Sequence, residues 1–359
     1  MKYRIAAYLM SMFFVSSCSH YGAAQLPPDR ISYNNSLQYS DNQQMILNIV
    51  RLRYTDSPYF LSVNNIVGQF SFDRSLSVSL ANNSVSPPAI LATGDGTVST
   101  SESPTITYTP LQGADYVTKL LTPVDLSVVY MLLRAGWGVN EIFRLLVQRL
   151  GHLDNATLAS RTTSSRVPQF KEFQALGLFI RQLQKDDNLT VLSDKFNNGF
   201  AIRLKIPHFN QLKPRQKMFL AKHGVTQVTP YFVIVGNPMV GPHKKNYIFA
   251  QTRTVLGVFN YLSKGVDVPK DDVKRKLAPQ TYTKTGELFD WHQVTIGQMR
   301  IHSSLIQPAN GHIYARYRGY WFYIADEDFD SKETLNILAI IMGIYQGEIK
   351  SVLPVFTVS

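Results

Sequence analysis

Several stretches of the chain repeat apolar residues at helical spacing. The first follows Asp41, a residue type that favours helix N-caps, and its stripe ends near Tyr54, shortly before Pro58. A second stripe runs from Phe170 to Leu183 and indicates a helix that packs on a core. Further helices are predicted over residues 123–135, with Thr122 as the cap, and over residues 140–150 and 253–264.

Other stretches alternate apolar and polar residues, which is typical of strands with one buried face. The clearest alternation lies between Tyr59 and Leu80. Residues 82–105, rich in Ser, Thr, Pro and Gly, are predicted to form a long exposed loop or hairpin tip. Strands are also predicted within residues 188–206, 225–236, 298–304 and 313–325.

The C-terminal residues predict one more helix and one more strand. Asp330 and Glu333 fit a capping arrangement for a helix that reaches about Tyr345. This helix contains LNILAIIMGIY, which is apolar almost all round, so we expect it to be deeply buried. Pro354 confines the closing segment VLPVFTV to an edge strand or a bulge. Together these elements predict an α+β fold, a mixed or antiparallel sheet packed by helices.

Composition and charge suggest a division of the chain. Hydrophobic residues make up 45% of the 359 residues, enough for a substantial core, and the length suggests about two domains. Residues 19–150 hold 8 basic and 9 acidic side chains, whereas residues 151–359 hold 26 and 16. We therefore predict two closely associated parts, at residues 35–154 and 169–359, joined by a Ser/Thr/Arg-rich linker at residues 155–168.

The basic C-terminal part favours anionic neighbours. Lipopolysaccharide, phospholipid head groups, acidic glycans and an acidic protein face all fit this charge. A basic surface without a particular partner explains the same composition equally well.

The N-terminus has the features of an export signal. Lys2 and Arg4 precede an apolar run of about 11 residues, which is shorter than the roughly 20 that a transmembrane helix needs. Residues 1–17 are therefore predicted to be a signal peptide. Residues 18–34, which include Gly22, Pro27 and Pro28, are predicted to be a tether.

Val15, Ser16, Ser17 and Cys18 resemble the lipobox of bacterial lipoproteins. The resemblance implies cleavage before Cys18, a diacylglyceryl thioether on its sulfur and acylation of the new amino terminus. Ser19 follows instead of an aspartate, which favours the periplasmic face of the outer membrane. The alternative is an ordinary signal peptide with an incidental cysteine.

Few residues suggest catalysis or metal binding. Glu287 and Asp290 could pair as acid and base in a glycan hydrolase, but their separation cannot be read from the sequence. Asp326, Asp328 and Asp330 mimic the start of an EF-hand loop, which then lacks the required glycine and glutamate. The histidines show no HExxH spacing. We therefore expect a protein that is not an enzyme and has no metal and no cofactor.

Two other features allow a binding role. Arg53 points into the apolar face of its predicted helix, where it could bind a carboxylate, although we expect it to snorkel or to pair internally. The segment RGYWFYIA at residues 318–325 is superficially similar to an RNA-recognition signature, but export excludes nucleic acid. Alternation places Arg316 and Phe322 on one face and Trp321 on the other; such a strand could stack on sugars, but we expect a strand packed on both sides.

Three longer segments resemble a family of uncharacterised bacterial lipoproteins. They are NQQMILNIVRLRYTDSPYFLSV at residues 42–63, FDWHQVTIGQMRIHSS at 289–304 and ARYRGYWFYIADEDFDSKETL at 315–335. This resemblance implies no activity, cofactor or catalytic residue. The chain is also similar to accessory lipoproteins of type IVB secretion systems, by analogy alone.

These observations predict a structural or interaction subunit of a cell-envelope assembly, anchored by Cys18 and in contact with other envelope proteins. One alternative is a module that binds peptidoglycan or another glycan, with or without hydrolase activity. The other is a periplasmic lipid carrier, which would need an enclosed apolar cavity.

Overall fold

A computed structural model describes residues 21–67, 70–82, 90–102, 104–161, 166–196, 199–236, 246–309 and 311–346. Cys18, the predicted signal peptide and the predicted C-terminal strand lie outside these residues. The chain forms two compact units: the smaller includes Tyr59–Tyr116, and the larger includes the described residues up to Pro58 and from Val117 onward.

The secondary structure confirms an α+β fold with mixed and antiparallel sheets. The helices, in chain order, are α1 (Tyr21–Arg53), α2 (Ala114–Leu121), α3 (Leu126–Arg134), α4 (Val139–Leu146), α5 (Lys171–Lys185), α6 (Pro214–Lys222), α7 (Val255–Ser263), α8 (Lys270–Lys274), α9 (His292–Thr295) and α10 (Phe329–Gln346). Among the described residues, no helix is both long and apolar enough to cross a membrane.

The smaller unit contains four strands that pair two by two. They are β1 (Leu61–Val67), β2 (Phe70–Asn82), β3 (Ile90–Glu102) and β4 (Thr105–Pro110). β1 pairs antiparallel with β4, and β2 pairs antiparallel with β3 through 13 consecutive residue pairs. The loop predicted over residues 82–105 is therefore wrong at residues 90–102, which form β3, whereas the alternative of a hairpin fits the antiparallel pairing of β2 with β3. The small polar residues of β3 show no apolar alternation, so this strand becomes evident only from its pairing with β2.

The larger unit contains the remaining strands. These are β5 (Val147–Leu150), β6 (Leu153–Asp154), β7 (Thr190–Phe196), β8 (Gly199–Lys205), β9 (Tyr231–Val235), β10 (Tyr247–Thr252), β11 (His302–Ser304), β12 (Gly311–Tyr317) and β13 (Tyr320–Ala325). Six of them form a mixed sheet in the order β6-β5-β10-β9-β8-β7, in which only β9 and β10 run parallel. The others form an antiparallel sheet in the order β11-β13-β12.

The pairing of β5 with β10 explains why the chain does not divide at the expected linker. These strands lie on opposite sides of residues 155–168, so the residues before that segment belong to the same sheet as those after it. The same pairing ends α4 at Leu146, four residues earlier than predicted, since Val147 already adopts extended backbone.

Helix α1 begins much earlier than the periodicity predicts. Its first turn starts at Tyr21, so most of the segment predicted to be a tether is helical. Residues 28–44 have no fully buried side chain, and for that reason they show no apolar stripe. The predicted stripe itself is confirmed by the burial of Met45, Ile46, Ile49, Val50 and Leu52.

Two helix starts differ from the predicted caps. Helix α3 is capped by Asp125, whose Oδ1 accepts the Ser127 N–H at 2.7 Å, because Val124 donates to the Arg253 carbonyl and stays extended. Helix α10 is capped by Asp328, and its Oδ1 accepts the Ser331 N–H at 3.0 Å. The expectation that α10 is buried on all sides is also wrong, since Ile340 and Ile344 are exposed.

A tight turn joins β12 to β13 and changes the predicted faces. Arg318 and Gly319 have φ of 47° and 85°, and Tyr317 pairs with Tyr320. Two consecutive positive φ values define a type I′ hairpin, which reverses the chain and interrupts the alternation. Consequently Arg316 pairs with Trp321, not with Phe322, and Phe322 is fully buried.

Candidate functional site

A short parallel contact brings together the residues of the candidate site. Gly265 and Asp267 exchange backbone hydrogen bonds with Ile301, at 2.9 and 2.8 Å. A Cβ atom on Gly265 would lie only 2.2 Å from the Met299 carbonyl oxygen, so this close approach requires glycine. Since residues on either side of an extended residue point the same way, Arg300 and His302 both face Asp267.

Four side chains form what we term the Asp267 cluster: Asp267, His292, Arg300 and His302. His292 Nε2 lies 2.6 Å from Asp267 Oδ1. His302 Nδ1 and Arg300 Nε lie 3.1 and 3.2 Å from Oδ2. Burial opposes ionisation of this carboxyl, but the hydrogen bonds of the histidines and the charge of Arg300 outweigh it and hold the pKa of Asp267 well below its usual range.

A cleft of about 350 Å³ opens beside this cluster. Two basic side chains line it from different elements: Arg53 at the end of α1 and Lys264 just after α7. Arg53 Nη1 donates to the Pro279 carbonyl at 2.9 Å, so the internal pairing expected for this arginine is found. Its Nε atom is buried and has no hydrogen-bond partner within the described structure.

Burial destabilises the charged form of both basic groups, and the charge of Arg53 adds to this effect on Lys264. Lys264 is only 4% exposed, and burial together with the positive charge of Arg53 lowers its pKa to about 7. Burial likewise lowers the pKa of Arg53 to about 10. The positive charges of Arg53 and Lys264 thus face the cleft, where burial limits their hydration.

Aromatic and apolar side chains form the other walls. Trp291 donates its indole N–H to Thr281 Oγ1 at 3.1 Å, which fixes the ring, and the Lys264 ammonium lies 5.5 Å from the ring centroid. Such a geometry allows a cation–π interaction. The apolar lining comes from Val266, Val268, Val273, Ala278, Leu288 and Phe289.

An aromatic face also forms on the three-stranded sheet. Trp321 packs edge-on against Tyr314 with 5.5 Å between ring centroids, and the Arg316 guanidinium lies 5.8 Å from the Trp321 centroid. Helix α1 covers part of this face, since Tyr39 contacts the Tyr314 ring. The aromatic and basic residues predicted from the sequence are thus brought together, but in a different arrangement.

The acidic candidates have structural roles in the described residues. Asp290 lines the cleft and accepts the backbone N–H of His292 at 2.9 Å, whereas Glu287 belongs to an exposed turn with Thr283. Asp328 caps α10, and Asp326 pairs with Lys332 at 2.7 Å. Within the described residues, no group of three or more His, Cys, Asp or Glu side chains could hold a metal ion. The absence of a metal and a cofactor from the whole chain stays a prediction.

Sequence reasoning identified Arg53 but missed Lys264 and the Asp267 cluster. Their side chains come from separate segments, so no local spacing signals them. The signal that could have found them is the block at residues 289–304, because it contains Trp291 and three of the four cluster members.

Comparison with known proteins finds no family model, no curated protein and no solved structure that matches this chain. The resemblance to uncharacterised lipoproteins therefore stays a prediction.

Proposed function

We propose that this protein is a lipid-anchored interaction subunit of a bacterial cell-envelope assembly. In this proposal the acylated Cys18 holds it at the periplasmic face of the outer membrane, and the smaller unit contacts another envelope protein. No catalytic step is part of the proposed role. The observation that carries the proposal is the ribbon formed by β2 and β3.

The ribbon is long and has only two strands. Its 13 residue pairs correspond to a length of roughly 40 Å. No third strand of the described chain pairs with β2 or β3. An isolated two-stranded hairpin is marginally stable in water, and its outer edges present backbone N–H and C=O groups that can pair with another chain. A partner that adds a strand to this edge would stabilise the ribbon and would pair its outer backbone N–H and C=O groups.

The sequence of the N-terminus supports the proposed anchor. A short apolar run followed by Val15, Ser16, Ser17 and Cys18 fits lipidation, and multiple acyl chains give stable attachment since each buried methylene contributes about 0.8 kcal/mol.

Cross-linking of the full chain in the native envelope, followed by mass spectrometry, tests the proposed assembly. In a shortened variant, Asn-Gly replaces residues 76–96, which keeps the pairing of Ser75 with Thr97. We expect the wild-type chain to cross-link to other envelope proteins and the shortened chain to lose those products while it stays membrane-bound. Recovery of the wild type as a free monomer, or unchanged products from the shortened variant, would contradict the proposal.

A Cys18→Ser variant tests the anchor separately. We expect this variant to lose palmitate labelling and to leave the outer-membrane fraction. An unlabelled variant that remained in that fraction would show that a partner, and not the lipid, holds the protein there.

Glycan binding is a second candidate, favoured by the aromatic face around Trp321. A sacculus pull-down of the full chain and of Trp321→Ala tests it. Retention of the wild type with loss in the variant would support this candidate, and no retention of either would exclude it.

A further inference from the structure

We propose that the cleft between Arg53 and Lys264 binds the oxyanion group of a small ligand, a phosphate or a carboxylate. This inference is independent of the proposed assembly role, because the cleft lies wholly in the larger unit.

The guanidinium of Arg53 is oriented but not saturated. The bond from Nη1 to the Pro279 carbonyl fixes one side of the group, while the buried Nε has no partner in the described residues. Phosphate and carboxylate oxygens match the donor fork of an arginine, and they form charge-assisted hydrogen bonds with it. A buried donor left without a partner is costly, so an oxyanion at this position would remove that cost.

The charges around the cleft also favour an anion. Arg53 and Lys264 are of like sign and both line the cavity. The acidic side chains of the cleft are engaged elsewhere: Asp267 is bonded by His292, His302 and Arg300, and Asp290 accepts a backbone N–H. A ligand anion would meet the positive charge of Arg53, whose Nη1 is bonded, within the described residues, only to a neutral carbonyl oxygen.

The size and walls of the cleft define the rest of the ligand. A volume of about 350 Å³ is at the lower end of the range for small-molecule sites. Because Val266, Leu288 and Phe289 form an apolar wall beside the cations, the cleft suits an oxyanion that carries a short apolar group.

Isothermal titration of the full chain in non-ionic detergent tests this inference. The probes are inorganic phosphate, hexyl phosphate and hexanoate. The variants are Arg53→Gln and Lys264→Met, and the matched control is Arg51→Gln, which removes an equal charge from the same helix. Arg51 contacts Asn48 and does not line the cleft. Circular dichroism and thermal unfolding verify that each variant is folded.

We expect saturable binding of at least one probe by the wild type and by the control. At pH 6, where Lys264 is mostly protonated, both cleft variants should bind at least about tenfold more weakly, since each loses a charged donor. If Arg53→Gln does not fold, Lys264→Met alone decides the matter, because replacing a buried ammonium with an isosteric apolar side chain preserves packing. No saturable binding of any probe, equal binding by wild type and cleft variants, or an equal loss in the control would overturn the proposal.

The three probes also identify the source of the oxyanion. Binding of inorganic phosphate as tightly as hexyl phosphate indicates a free phosphate ligand. Tighter binding of hexyl phosphate indicates a phosphate ester with an apolar group, such as a lipid head group. Tighter binding of hexanoate indicates a carboxylate.

Discussion

The hydroxyl of Tyr54 donates a hydrogen bond of 2.7 Å to Oδ2 of Asp272, and both residues are almost completely buried. The bond spans 218 residues of sequence and joins the end of α1 to α8. The Tyr54 ring also packs edge-on against Phe322 of the three-stranded sheet. One side chain thus ties together three segments that are distant in the sequence.

Replacing Tyr54 with phenylalanine should destabilise the protein. The variant keeps the packing of the ring but leaves the Asp272 carboxylate buried without this donor, which costs about 1–3 kcal/mol. Urea unfolding of both chains at neutral pH measures the difference. Tyr282→Phe is the matched control, since Tyr282 is exposed and its loss should cost less than about 0.5 kcal/mol.

Replacing Asp267 with asparagine should lower stability at neutral pH and flatten the acid dependence. The native pKa of Asp267 lies below its unfolded value near 3.9, so its contribution is complete above that pH and is lost as the pH falls through the native pKa. We expect the wild type to lose stability more steeply than Asp267→Asn in urea unfolding below about pH 4.

The control for this measurement is Asp271→Asn, which alters an exposed carboxylate whose only ion pair in the described residues is a 4.0 Å contact with Lys274. It should follow the wild-type acid profile. An Asp267→Asn chain as stable as the wild type at every pH would show that the cluster contributes nothing to folding.

Replacing Lys264 with methionine should stabilise the protein at low pH. The folded pKa of Lys264 is about 7 and its ordinary value is 10.5, so the unfolded chain binds the extra proton between these values. In that window the stability of the wild type rises with pH by up to about 1.4 kcal/mol per unit. Denaturation at pH 6, 8 and 10 should therefore show that the advantage of Lys264→Met shrinks as pH rises. Lys274→Met, at an exposed site, should show no such trend.

Two glycines should respond in opposite ways to alanine. Gly319 has φ of 85°, so Gly319→Ala should cost about 1 kcal/mol although its Cβ would meet no neighbour. Gly343 lies in α10, where a Cβ has open space, and Gly343→Ala should gain roughly 0.5–1 kcal/mol. Thermal unfolding compares both variants with the wild type. Changes of the same sign in both would contradict the turn geometry.

Apolar periodicity predicted the helices and strands that bury one regular face. The stripes ending at Leu52 and Leu183 lie in helices and are buried, as expected. The paired strands β7 and β8 also lie within the predicted region of residues 188–206. In these cases the buried positions recur with the period of the helix or strand, so the sequence shows them.

Elements without an apolar pattern, and contacts between distant segments, could not be predicted in this way. β3 is mostly small and polar and is defined by its pairing with β2, and residues 28–44 of α1, which have no fully buried side chain, show no apolar stripe. The Asp267 cluster depends on the approach of Gly265 to Ile301, a contact that no spacing in either segment reveals. Arg53 could be recognised because a charged residue at an apolar position of a helix is visible within a single segment.

The contact between α1 and β12 has a consequence for biosynthesis. Gln43 Nε2 donates to the Tyr314 carbonyl at 2.8 Å, and 271 residues separate the two. At a synthesis rate of roughly 5–20 residues per second, Tyr314 is made about 15–50 s after Gln43. During that time α1 cannot form its contacts with β12. The contact between α1 and β12 therefore forms only after most of the chain has been synthesised.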